Sequence, residues 1–131
     1  MTTTRRPTRS QREVESAVSE AICRAVRELI GRGPRHVTTT IRGPTMFIHL
    51  QGVLTTAEER LIAPGESAAA GREMVRQMRH QIMLAAMPSL LTALEGTLGR
   101  VASAMLHDVS PDSDQEVLVF SLGGEGVVGV P

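Results

Sequence analysis

A chain of 131 residues, 41% apolar and 21% charged, has the size and make-up of one globular domain with a single core. Its fourteen basic residues are all arginine and balance fourteen acids, which excludes a Schiff-base lysine and a phosphate-loop lysine. Phe47 and Phe120 are the only aromatic residues, so the chain lacks the stacking platforms that single-stranded nucleic acid requires, and its core is expected to be aliphatic and methionine-based.

Charge is unevenly spread. Residues 1–40 carry eight Arg against four Glu, and residues 101–131 carry five acids and no Arg. The basic end suits phosphate or an anionic membrane surface, or is simply a solvated leader. The Arg residues alternate with Glu along the first helical segment instead of forming one stripe, so nucleic acid is not expected as a partner. Cys23 is the sole cysteine and sits between Ile22 and Val26 on an apolar helix face, which predicts a buried thiol in a reducing, cytoplasmic setting. The leader Met1–Arg6 has no apolar run after it, unlike a secretory signal. The most apolar stretch, Ile82 to Leu94, is shorter than the ~20 residues of a membrane span.

Residues 1–10 are polar and are expected to be a disordered basic leader. Ser10 with Glu13 three residues later is a capping box that opens a helix. Val14, Ala17, Val18, Ala21, Ile22, Ala25, Val26 and Leu29 then make one apolar stripe up to about Ile30. Gly31 or Gly33 ends the helix and Pro34 prevents its continuation. Val37, Thr39, Ile41 and then Met46, Ile48, Leu50 alternate with their neighbours on either side of Gly43-Pro44, which predicts an antiparallel hairpin.

Thr55 or Thr56 caps a short helix with Glu58 and Glu59 in its first turn, and Pro64-Gly65 breaks it. A long helix runs from about Glu66 or Ser67 to Leu98. Met74, Val75, Met78, Ile82, Ala85 and Ala86 form its stripe, which Met83, Met87, Leu90, Leu91 and Leu94 widen. Pro88 is expected to kink or split it. A second hairpin joins Val101–Val109 to Glu116–Leu122, and a Gly-rich flexible tail occupies residues 123–131. The last strand is apolar on both faces, as an interior strand is. Residues 11–122 thus predict an α+β, two-layer, helix-hairpin-helix-hairpin domain with a four-stranded antiparallel sheet and helices on one face. The opposite face, assigned Phe47, His49 and Phe120, is left for a partner or a second copy.

Candidate chemistry is sparse. The histidines at 36, 49, 80 and 107 lack metal-ligand spacing, so neither metal nor cofactor is expected. His107 and Asp108 are adjacent on a strand and point to opposite faces, so they do not form an acid–base pair. Asp108 and Ser110 are expected to close the hairpin loop through backbone hydrogen bonds. Asp112, Asp114 and Glu116 lack the glycine and closing glutamate of a calcium loop. No nucleophile motif is present, so the expectation is that the protein is not an enzyme. Arg32, Arg35 and Arg42 flank the first hairpin and offer a site for an anion such as bicarbonate. Of the methionines at 74, 78, 83 and 87, which fill the core by default, Met83 and Met87 are the ones that offer an adaptable partner surface.

In this order and spacing, the segments resemble the MpsC-like family. The resemblance rests on the Gly31-Arg-Gly33-Pro34 turn, on Gly52-Val-Leu-Thr55-Thr-Ala-Glu58, on the helix containing Pro88, and on the strands around His107-Asp108 and Val117–Leu122. It implies a small accessory component of a cation-translocating, membrane-potential-generating system whose membrane subunits resemble inorganic-carbon uptake machinery. On that reading the chain is a cytoplasmic homodimer that contacts transporter subunits from the inner face of the membrane.

Overall fold

The computed structural model describes residues 10–123. The basic leader and Gly-rich tail predicted at the two ends lie outside these residues, apart from Ser10 and Gly123.

Helix α1 spans Gln11–Ile30 and begins with the predicted capping box. The Ser10 hydroxyl accepts from Glu13 N at 3.1 Å, and the Glu13 carboxylate accepts from Ser10 N at 2.8 Å. Two donors that a helix start leaves unpaired are thereby satisfied. Gly31 closes the helix at φ 87, a conformation glycine adopts without steric cost. Val18, Ala21, Ile22 and Val26 are buried along one side. Burial of each of the larger three is worth about 1.5–3 kcal/mol.

Strands β1 (His36–Arg42) and β2 (Thr45–Gln51) form the first hairpin. Helix α2 (Thr56–Leu61) and the long helix α3 (Ala68–Leu98) follow. Strands β3 (Val101–Ser110) and β4 (Gln115–Gly123) complete the domain. The sheet order is β1-β2-β4-β3, antiparallel throughout. The doubly apolar β4 is therefore central, as its composition requires. Helices α1 and α3 pack on each other and on one face of the sheet. Between them and the sheet lie Ile22, Leu90 and Leu94 from the helices and Ile48, Leu50, Leu118 and Phe120 from the strands.

Two expectations need correction. Phe120 is completely buried on the helix side, because the register sets it opposite Met46 and alternation groups it with Leu118 and Leu122. Phe47 lies on the other face, opposite Val119. The buried line of α3 is rotated from the predicted stripe: Gly71, Val75, Arg79, Met83, Ala86, Leu90 and Leu94 face inward, while Met74 and Met78 face solvent. The period of 3.6 admits both lines, and the one containing an arginine is the one that packs. At Pro88, where a kink or a split was expected, α3 runs on as one helix and is not split. Pro88 lies on the exposed side, where water can satisfy the carbonyl one turn back.

Candidate functional site

The inward arginine organises the most chemically distinctive part of the molecule. Arg79 is 1% exposed and reaches the two buried carboxylates of Glu58 and Glu116. Its Nη1 donates to Glu58 Oε1 at 2.9 Å, and its Nε and Nη2 donate to Glu116 Oε1 at 3.2 and 3.0 Å. Charges removed from water in this way persist only when paired and hydrogen-bonded. The other oxygen of Glu116 meets Nε2 of His107 at 2.6 Å. His107 Nδ1 in turn lies 3.0 Å from Nδ1 of the exposed His80, with the rings stacked.

A chain of contacts thus runs from the sealed interior to the surface: Glu58, Arg79, Glu116, His107, His80. Two carboxylates against one guanidinium leave Glu116 Oε2 without a contact to Arg79, and His107 meets that oxygen. A proton must lie between the two Nδ1 atoms for their contact to be a hydrogen bond, so only one of these nitrogens carries it at a time. The cleft the cluster opens into, between α3 and β3, encloses about 200 Å³ and is lined by Glu73, Arg76, His80, His107 and Asp108. Among the described residues no group of three or more His, Cys, Asp or Glu is arranged to hold a metal ion.

The segment Gly52–Glu58 exists to deliver Glu58 to this cluster. Gly52 sits at φ 67, and a Cβ there would strike the Arg35 side chain. Asp114, itself at φ 55 in the β3–β4 turn, accepts from Val53 N and Leu54 N at 2.7 and 2.9 Å and so ties the segment to the second hairpin. Thr55 caps α2, its hydroxyl accepting from Glu58 N at 3.2 Å while Glu58 Oε1 accepts from Thr55 N at 2.9 Å. One carboxylate oxygen of Glu58 therefore serves both the helix cap and Arg79. Gly71 completes the placement: a Cβ there would strike the Leu61 carbonyl, so the end of α2 rests directly on α3.

Other predicted residues fall elsewhere. Arg35 and Arg42 stand at opposite ends of β1, about 23 Å apart at ~3.3 Å per residue, and Arg35 lies 3.7 Å from Asp114. The three arginines, Arg32 included, are exposed and do not converge on one anion. Met83 is buried and Met87 half-buried against the core, so neither forms an open partner surface. His49, on the helix-free face, bonds Gln115 at 2.6 Å. Asp108 accepts from Val109 N and reaches round the edge of β3 to Arg76 at 3.4 Å, while His107 points inward to Glu116, so both border the cleft without contacting each other. Gly31, Gly33 and Pro34 form the turn between α1 and β1. Arg79 and Glu116 escaped sequence reasoning, although both carried a signal. Glu116 shares the parity of Leu118, Phe120 and Leu122, and Arg79 lies four residues from both Val75 and Met83.

These features define a two-layer α+β domain stitched by a buried ionic cluster that surfaces at a histidine pair. The chain belongs to the MpsC family: residues 10–123 match the model described as "Na+-translocating membrane potential-generating system (MpsC)". It is also similar to the "Uncharacterized protein YbcI" of Bacillus subtilis (strain 168), at 25% identity over 114 residues, which cover 87% of this chain and 89% of that protein. No solved structure matches the chain.

Proposed function

We propose that this protein is a non-enzymatic accessory component of a Na+-translocating, membrane-potential-generating system and that it binds the membrane subunits from outside the bilayer. The observation that carries the reading is the family match across the whole described domain. Among the described residues no helix is long and apolar enough to cross a membrane, so the chain's part in such a system is better suited to binding than to conduction. The polar groups of the ionic cluster are consumed by one another. Met74 and Met78, one turn apart on α3 and 54% and 39% exposed, supply the adaptable apolar contact for the membrane partner.

Affinity purification of the tagged chain from gently solubilised native cells tests this. Co-elution of ion- or inorganic-carbon-translocating membrane subunits is expected, and Met74→Glu with Met78→Glu should abolish it. Elution free of membrane subunits would refute the proposal.

A further inference from the structure

The face of the sheet away from the helices is apolar at its centre. The register sets Phe47 opposite Val119 and Val119 opposite Leu106, so three neighbouring strands contribute one continuous apolar row. Phe47 is 44% and Leu106 66% exposed. The rows on either side are dominated by Thr, Ser, His and Gln with Val117, and the fixed charges in them stand on the two edge strands: Arg42 on β1, and Asp108 on β3, which is drawn to Arg76 of α3.

Both edges of the sheet carry features that disfavour strand addition. On β1, Ile41 N donates to Glu15 at 2.8 Å and Ile41 O accepts from Gln11 at 2.9 Å, so α1 side chains occupy the edge. On β3, Ala102 N donates to Glu95 at 2.9 Å, Val109 N donates to Asp108 at 2.8 Å, and the register shifts by one residue between Ala104 and Leu106. Capped groups and a bulge are the devices by which sheets avoid edge pairing. These features favour the face over the edges as the place for association through the sheet.

We infer that this face is a homodimer interface, with two copies packed sheet to sheet through the row Phe47, Val119 and Leu106. A second copy suits it better than an unlike partner, because the face offers no block of charge for such a partner to read and no like charges that must meet across a two-fold axis. Seven residues by four strands make about 23 by 19 Å at ~3.3 and ~4.8 Å spacing. Two such faces approach the ~1,000 Å² total of a specific interface before side-chain relief is counted. The inference stands independently of the accessory role, since it needs only the isolated protein.

Light scattering on the purified full-length chain should give twice the 14.1 kDa chain mass. Phe47→Glu and Leu106→Glu should each yield monomers, weakening association at least about a hundredfold, about tenfold for each of the two introduced carboxylates. Leu84→Glu, on the exposed side of α3, should leave the dimer intact. If Phe47→Glu loses the native circular dichroism spectrum, Leu106→Glu, the most exposed of the row, decides the matter. A wild-type chain of single mass overturns the inference. So does a dimer that survives both sheet substitutions, and so does one that Leu84→Glu dissociates.

Discussion

Replacing Arg79 by methionine removes the cation from the buried cluster and keeps most of the side chain's volume. Glu58 and Glu116 are then left almost wholly buried without their charged partner, at 3% and 1% exposure. Breaking a buried pair in this way costs about 3–5 kcal/mol, the penalty falling on the charge left behind. A domain of this size has about 5–15 kcal/mol in total, so Arg79→Met should lower its melting temperature by about 10–20 °C. The triple variant Glu58→Gln, Arg79→Met, Glu116→Met removes the orphaned charges as well and retains the Thr55 cap through the glutamine amide. It should recover to within about 2 kcal/mol of the wild type, since apolar replacement of a whole buried ion cluster is often neutral. Urea unfolding followed by far-ultraviolet circular dichroism measures both, because the chain has neither Trp nor Tyr to report by fluorescence. If Arg79→Met costs less than about 1 kcal/mol, the carboxylates are reached by water and the reasoning from burial fails.

Gly71→Ala should cost more than about 2 kcal/mol, because its Cβ meets the backbone carbonyl of Leu61; amide hydrogen exchange should rise first across Thr56–Leu61. Asp114→Ala leaves Val53 N and Leu54 N without their acceptor and should lose about 2–3 kcal/mol in chemical denaturation. Asp114→Asn keeps the acceptor oxygen and tolerates the left-handed backbone, so it should lose less than half as much. Leu90→Ala, at the junction of α3 and the sheet, should cost about 2–5 kcal/mol by thermal melting, and a loss under about 1 kcal/mol would contradict the packed core.

The elements were legible because each carried a local signal. Ser10 and Glu13 opened α1 at the expected residue, Gly31 closed it, and strand alternation gave both hairpins. The site was much less legible. Its members lie on α2, α3, β3 and β4, and the identities Glu58, Arg79, Glu116 and His107 meet only once the sheet order brings β4 beneath α3. An arginine reads by default as solvent-facing, which turned the predicted stripe of α3 toward Met74 and Met78. Phe120 was misplaced for a related reason: its face depends on the pairing with Met46, a contact between strands 70 residues apart.

The pairing of β2 with β4 also bears on how the chain is made. Residues 45–51 emerge from the ribosome well before residues 115–123, yet the latter supply their second neighbour in the sheet. Until then the nascent first hairpin presents Met46, Ile48 and Leu50 along an open seam. Closure of that seam must wait for nearly the entire domain, a long-range contact of the kind that slows folding and exposes chains to misassembly. Truncation anywhere before β4 thus leaves a hairpin whose missing partner strand any other chain is free to imitate.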